Sequence, residues 1–371
     1  LAKHIEFLNS YDKILLWFDD DEAGRKATAE VATLFPAGKV YVVSKTGYKD
    51  ANEVLKNKGK AGVLQAYYEN KLFTPAGIVV GSQLSFEDVI SIDTSKSYTT
   101  PYTGLDEKLR GLRKGELVTF TAGSGMGKTT MVREIAYHFM TSHNLKIGWV
   151  ALEENTQRSA LGFMSLHLNK PVYLTEERKE TPKEALEKAY KEVIATDKLY
   201  FFDHWGSLDS DVLINKLRFL AVACDVDFIF LDHISIVVSA GVQDNERIAI
   251  DNLMTNLRSL AEETGIGIVI VSHLRRPSGE KGFENGHEVT LGHLRGSGGI
   301  AQLSDGVVAL ERDQQAEKDS NKGTIRILKN RYTGEVGKAG QVVYHKEFGR
   351  LLYLDEPVEF RDESDEQEAE F

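Results

Sequence analysis

An α/β fold built on a largely parallel sheet is the architecture this 371-residue sequence predicts, and three observations carry it. From Glu116 onward, short apolar runs (LVTFTA, KIGWVALE, LYFFD, DFIFLD, GIVIVSH, GVVALE, TIRILK) alternate with segments of helical period. Runs that are apolar throughout, rather than at every second position, belong to strands covered on both faces, as in parallel sheets flanked by helices. The polar residues with chemical potential follow the ends of these runs, where such sheets bind ligands.

Taken in order, residues 14–21 (ILLWFDDD) form an apolar run ending in acids, followed by a helix-like stretch through Thr33 and a second run, KVYVV. This is a βαβ fragment. Lys56 to Asn70 reads as another helix, and residues 74–103 are rich in Ser, Thr and isolated Gly, with one short apolar pattern at Phe86 to Ile90. The expected organisation is therefore a first α/β unit (1–73), an interdomain linker (74–103), a larger α/β domain (104–354) and an acidic tail (355–371).

Hydrophobic residues at 42% and charged residues at 27% fit a soluble globular protein, and no run of about 18 apolar residues offers a membrane span. The start, Leu1-Ala2-Lys3-His4, has neither an initiator Met nor a signal peptide, so a cytoplasmic protein cut from a longer one is expected. One cysteine, Cys224, excludes an intramolecular disulfide and disfavours a cysteine-based zinc site. The net charge of −11 is concentrated at the end: residues 355–371 hold nine acids and one Arg, leaving −3 for the rest. A nearly neutral body is compatible with a local basic groove.

After the run LVTFTA comes Ala122-Gly123-Ser124-Gly125-Met126-Gly127-Lys128-Thr129-Thr130, then a helical pattern through Phe139. This strand, glycine loop and helix fit a Walker A motif. Glycines let backbone N–H groups close around phosphates, and the helix N-terminus adds positive partial charge. Lys128 is expected on the β and γ phosphates and Thr129 on Mg²⁺; Ala122 stands where the motif usually has Gly. Asp232, ending Phe228-Ile229-Phe230-Leu231, has the form of a Walker B carboxylate that reaches Mg²⁺ through water. Glu153, after the strand Ile147 to Leu152, is placed to activate water, with Glu154 as the competing choice. His273, after the strand Gly267 to Ser272, is placed to read the γ-phosphate.

These segments also resemble a known family. TAGSGMGKTT, ALEEN, FLDHISIVVSA, IVSHLRRP, HLRGSGGIAQLSD, ALERDQQ and ILKNRYTG are similar, in order, to the RecA-like helicase domain of the bifunctional primase-helicases of short-tailed bacteriophages, with Twinkle and DnaB as relatives. The similarity spans about residues 100 to 354. It implies Glu153 as catalytic base, His273 as phosphate sensor, Arg331 as an arginine finger from the neighbouring subunit, and Arg312 and Tyr344 bracketing the base of the nucleotide. It further implies a ring, expected as a hexamer, that hydrolyses ATP or dTTP with Mg²⁺, moves 5′ to 3′ on single-stranded DNA and opens forked duplexes. In a phage setting the location is the host cytoplasm.

Arg275 and Arg276 open a Gly- and charge-rich loop that continues through Lys281 to Gly286, and Arg295 with Gly296 opens a second, Arg-Gly-Ser-Gly. Loops of this composition approach a phosphate backbone without reading bases. Residues 232–247 are a further loop that the resemblance places at the central channel. Upstream, Asp19, Asp21 and Gly24 fit D-x-D-x-x-G after a strand, and KDANEVL follows the next strand. This resembles the Toprim fold of primases, whose acids hold Mg²⁺. The upstream catalytic Glu of that fold is absent, so primer synthesis is not expected. The acidic tail ending in Phe371 resembles the phage helicases' tail that docks on the replicative DNA polymerase. A RecA-type recombinase or KaiC-like ATPase shares the same core, and a non-enzymatic scaffold using the tail is the second rival.

Overall fold

The computed structural model describes residues 4–43, 46–75, 77–81, 84–90, 96–203, 210–234, 246–275, 282–295 and 298–354. Two compact units divide between Ile92 and Asp93. No helix among the described residues is long and apolar enough to cross a membrane.

The first unit carries a three-stranded sheet in the order β1 (Ile14–Leu16), β2 (Val40–Val42), β3 (Lys71–Leu72), with β1 and β2 parallel and β3 antiparallel. The helices Glu22–Ala32 and Ala51–Tyr68 follow the first two strands. Its core is small: Ile14, Ala32, Phe35 and Val40. The expected βαβ fragment is present.

The second unit begins inside the expected linker. The strands Ser97–Tyr98 (β4) and Leu112–Arg113 (β5) pair, and Tyr98 and Tyr102 are buried in the main core. A Ser/Thr-rich composition suggested a linker as far as residue 103, but these two aromatic rings anchor its last part to the domain. The remaining strands are β6 (Leu117–Ala122), β7 (Ile147–Ala151), β8 (Leu199–Phe201), β9 (Phe228–Asp232), β10 (Gly267–His273), β11 (Gly306–Glu311), β12 (Lys322–Asn330), β13 (Gly337–His345) and β14 (Arg350–Leu354). They form one sheet in the order β14-β13-β12-β11-β6-β10-β9-β7-β8. The six strands from β11 to β8 are parallel, whereas β12, β13 and β14 form an antiparallel meander at one edge.

Alternate side chains of each central strand go to opposite faces, and both faces are covered. Phe228 and Phe230 join Met131, Val132, Ile135 and Phe139 of the helix Lys128–Ser142 on one side. Ile229 and Leu231 join Leu253, Met254, Leu257 and Leu260 of the helix Glu246–Thr264 on the other. The i, i+1, i+4, i+7 spacing of that second set is an amphipathic helical stripe. Buried Thr119 and Thr121 on β6 are satisfied by the Ser304 hydroxyl (2.7 Å) and the Ser272 carbonyl (2.9 Å), so the central strand carries no orphaned hydroxyl.

Candidate nucleotide site at the strand ends

The parallel strands β6, β7, β9 and β10 end level with one another: Ala122 pairs with His273, and Ala151 with Asp232. Their carboxyl ends therefore bring Lys128, Glu153, Asp232 and His273 to one edge of the sheet. Between β6 and the helix Lys128–Ser142, Gly125 (φ 70°) and Gly127 (φ 100°) take left-handed backbone conformations, and Gly127 caps the helix. Only residues without a Cβ adopt these freely, which explains the glycine spacing. Ala122 is a regular strand residue with no positive φ, so the departure from the usual motif costs nothing.

Lys128 is buried, and its Nζ donates to the carbonyls of Ala122 (3.1 Å) and Gly123 (2.8 Å), folding back over the loop. Burial lowers its pKa, while Asp232 and Glu153 act in the opposite direction. Asp232 is buried as well, and burial pushes its carboxyl up to about 6, opposed by a hydrogen bond from Thr129 and the charge of Arg133. Its Oδ1 makes no hydrogen bond, although His233 Nε2 stands 3.4 Å away. A buried carboxylate oxygen left without a donor is costly, and beside the Thr129 hydroxyl it fits a hard divalent cation such as Mg²⁺.

The two adjacent glutamates have different surroundings. Glu154 is 14% exposed and tied down by the Arg133 guanidinium and by Ser159 Oγ, which donates to Oε1 at 2.7 Å. Glu153 is 46% exposed and faces two imidazoles, with His233 Nε2 at 3.2 Å and His273 Nε2 at 3.5 Å. The two rings stack at 4.3 Å with an interplanar angle of 14°. Burial, then His273 and Lys128, depress the His233 pKa to about 3, so this ring is neutral. His273 is likewise lowered by burial and by Lys128. Glu153, His233 and His273 are also the one group among the described residues whose ligand atoms could meet at a metal. Near-parallel rings, however, send their in-plane lone pairs side by side rather than toward one ion.

A cleft of about 330 Å³ opens beside these groups, lined by Thr129, Arg133, Glu153, Tyr173 and Asp232 among others. Arg312 follows β11 at the same end of the sheet, where Leu310 pairs with Ala122, and its Nε donates to the Ser320 carbonyl. Tyr344 on β13 is joined to the cleft wall by a 3.1 Å hydrogen bond between its hydroxyl and that of Tyr173. The end of β11 thus brings Arg312, and the meander Tyr344, to the phosphate end.

Arg331 lies elsewhere. Asn330 pairs with Gly306, which pairs with Val118, so Arg331 sits one residue further toward the start of the parallel strands, about 16 Å of strand from Ala122. Its Nη1 donates to Asp305 Oδ1 at 2.8 Å and its Nη2 to the Gln302 carbonyl at 3.2 Å. Within its own chain it does not meet the Walker residues.

Of the basic candidates, Arg275 and Arg295 are exposed and flank the antiparallel Leu274–Leu294 bridge, opposite His293 and His273 respectively. Arg275 Nε donates to the Leu294 carbonyl, and the Arg295 amide donates to the His273 carbonyl at 2.9 Å. Arg276, Lys281, Gly296, residues 235–245 of the further loop and the tail 355–371 lie outside the described residues. In the first unit Asp21 caps the helix Glu22–Ala32, accepting from the Gly24 amide at 2.8 Å. Lys49 Nζ stands 3.7 Å from Asp19 and 3.9 Å from Asp21. A Cβ on Gly24 would come within 2.0 Å of the Asp19 carbonyl oxygen, which accounts for the glycine of the D-x-D-x-x-G pattern.

Sequence reasoning missed two residues. His233 stood in plain sight after Asp232, but an imidazole beside a Walker B carboxylate has no motif meaning. Tyr173, in NKPVYLTEE, carries no signal at all.

A glycine loop entering a helix from the central strand β6, with a buried carboxylate at the end of β9 beyond the intervening β10 and a cleft beside both, defines a P-loop nucleotide-binding protein of the RecA-like α/β class. Residues 98–352 match the family described as DnaB-like helicase C terminal domain, and residues 1–55 match the Toprim-like family. The chain belongs to the DnaB-like helicase C-terminal domain family. It is 37% identical over 358 residues to a DNA helicase/primase of Enterobacteria phage T3, covering 94% of this chain and 62% of that protein. It is 28% identical over 247 residues to a probable plasmid replicative DNA helicase of Chlamydia psittaci, covering 65% of this chain and 52% of the other. The chain thus spans about half to three fifths of these relatives. Among solved structures, an isolated ATPase domain aligns with a TM-score of 0.60 at 20% identity, covering 73% of this chain and 96% of that one. A DnaB-like replicative helicase studied with primase aligns at 0.60 and 18% identity, covering 82% and 74%.

Proposed function

We propose that this chain is the motor of a ring-shaped replicative DNA helicase, hydrolysing ATP or dTTP to move 5′ to 3′ along single-stranded DNA and open a forked duplex. The ring is expected to be a hexamer and to act in the cytoplasm of its cell or host. The observation that carries this reading is the backbone link at His273. Its side chain faces Glu153 while its carbonyl accepts from the amide of Arg295, so one residue joins the phosphate site to an exposed basic pair.

In this reading the amides of residues 123–130 (Gly123, Ser124, Gly125, Met126, Gly127, Lys128, Thr129 and Thr130) cradle the phosphates, and Lys128 leaves its two carbonyls for the β and γ oxygens. Thr129 and Asp232 hold Mg²⁺, which supplies charge neutralisation at the phosphates. Glu153 accepts a proton from the attacking water, whose oxygen bonds the γ-phosphorus as the bond to the bridging oxygen breaks. His273 senses whether the γ-phosphate is there. Arg312 and Tyr344 bracket the base. Arg275, with Arg276, Lys281, Arg295 and Gly296, follows the DNA backbone, giving sequence-independent, salt-sensitive binding. Asp19 and Asp21 are the acids proposed to hold a metal in the Toprim-like part, where Lys49 stands beside both.

Glu153→Gln tests the assignment. It is expected to bind nucleotide and single-stranded DNA as the parent does while hydrolysis stimulated by that DNA disappears. Parental hydrolysis by the variant removes the base assignment and leaves Glu154 as the remaining carboxylate.

The acidic tail is proposed to dock on the replicative DNA polymerase, with charge steering the encounter and Phe371 anchoring it. Deleting residues 355–371 is expected to spare unwinding and weaken polymerase binding in a pull-down at low salt. Equal, salt-independent binding with and without the tail contradicts this.

A further inference from the structure

Glu153 stands at a strand end, nearly half exposed, yet its two oxygens are engaged from one side. His233 Nε2 lies 3.2 Å from Oε2 and His273 Nε2 lies 3.5 Å from Oε1. The two histidines differ in how freely they can leave: the His233 side chain is 5% exposed and that of His273 26%. We infer that His233 is a positioning residue that holds Glu153 for its work on water, through Nε2 on Oε2; the inference rests on Glu153 being the base.

Three features place His233 in that role. Its backbone sits in the left-handed region at φ 68°, which a residue with a Cβ adopts at a cost, so the surrounding structure imposes the direction of the ring. The next residue is fixed by a hydrogen bond from the Ile234 amide to the Val271 carbonyl at 3.1 Å, which ties the end of β9 to β10. The ring itself is clamped against His273 in the 4.3 Å stack. A γ-phosphate would engage His273, which frees Oε1 for water; the buried ring of His233 keeps Oε2. Water then attacks the γ-phosphorus, its proton passes to Oε1, and the bond between the γ-phosphorus and the bridging oxygen breaks to give the nucleoside diphosphate and phosphate. A carboxylate free to swing into solvent would lose this geometry, and a misplacement of about 1 Å at a reacting group costs on the order of 10²-fold in rate.

His233 Nε2 also stands 3.4 Å from Asp232 Oδ1, and three substitutions separate its contact with Glu153 from the ring's other contributions. His233→Gly relaxes the backbone and removes the donor; His233→Leu keeps bulk over His273 without a donor; His233→Gln returns an amide N–H at a similar reach. Hydrolysis is measured at saturating single-stranded DNA, with thermal melting and ring assembly recorded for each variant. Gly and Leu are expected to lower kcat by about 10²-fold while KM stays within about twofold of the parent, the signature of an interaction used in the chemical step. Gln is expected to regain most of the loss. Placed on Glu153→Gln, His233→Leu is expected to lower the residual rate no further, because its effect passes through that carboxylate. Parental kcat in Gly or Leu, a change confined to KM, no recovery in Gln, or a further loss on the Glu153→Gln background each overturn the inference. Should Glu153→Gln alone hydrolyse at the parental rate, the base assignment fails first and is recognised by that variant.

Discussion

Lys128→Ala is expected to abolish nucleotide-dependent unwinding and to lower hydrolysis by at least about 10²–10³-fold, the scale of losing a preorganised charge donor at a developing anion. Lys128 is buried, with its Nζ within 3.1 Å of two loop carbonyls. Its charge is therefore already desolvated and aimed at the loop's interior before nucleotide arrives. Little reorganisation is needed when phosphate oxygens replace those carbonyls. Asp232→Asn is expected to have the same outcome by a different route. The carboxylate is buried with one oxygen lacking a partner, and the amide removes the charge that would hold Mg²⁺ beside Thr129. Asp232→Asn should keep the fold, since it removes a buried charge with one oxygen unbonded, and Lys128→Ala leaves only the Ala122 and Gly123 carbonyls to find new donors. Measurement of fork unwinding and DNA-stimulated hydrolysis, with circular dichroism as control, decides the matter. Hydrolysis near the parental rate in either variant contradicts the phosphate and metal roles.

The second large effect is expected at Arg331. The arginine stands at the opposite end of the sheet from the P-loop and cannot serve its own nucleotide, so any catalytic role must be exercised on a neighbouring subunit. Where arginine fingers have been measured they contribute about 10³ to 10⁵ in rate. Arg331→Ala is thus expected to assemble, bind nucleotide and hydrolyse at a small fraction of the parental rate. The competing account is structural: at 52% exposure Arg331 pairs with Asp305, which also receives Arg258 and the Leu117 amide. An exposed ion pair of this sort contributes about 0–1 kcal/mol, and its loss would leave activity nearly unchanged. Mixing Arg331→Ala with Lys128→Ala subunits separates the two. One kind of interface then joins an intact P-loop to an intact finger, and mixed rings regain hydrolysis that neither variant has alone. Wild-type hydrolysis in the Arg331→Ala ring sinks the finger.

What the sequence made legible was whatever rests on short-range pattern. The glycines of the loop before Lys128 are legible because φ > 0 at Gly125 and Gly127 admits little else, and the central strands because both their faces are covered. Glu153 and Glu154 could not be told apart, since adjacent carboxylates at one strand end have equal local claims. Their difference comes from Arg133, 21 residues before Glu154 in the chain, and from Ser159, which occupy Glu154 and leave Glu153 to the histidines. Beyond TIRILK the strand signal is weak: β13 (GKAGQVVYH) is broken by Gly, Lys and Gln, and β14 (RLLYL) is only five residues long. That meander is what carries Tyr344 toward the cleft. The linker was drawn too long because Tyr98 and Tyr102 were read by their polar neighbours rather than by the core they fill.

If phosphate chemistry at the strand ends drives movement on DNA, strand separation of a forked duplex with single-stranded arms, followed in time with ATP or dTTP and Mg²⁺ alongside Lys128→Ala, shows it most directly. Catalytic separation by the parent is expected to require a free 5′ arm, to need hydrolysable nucleotide and to be absent in the variant. Hydrolysis without separation of any fork, with coating of DNA and exchange of homologous strands in its place, would contradict it.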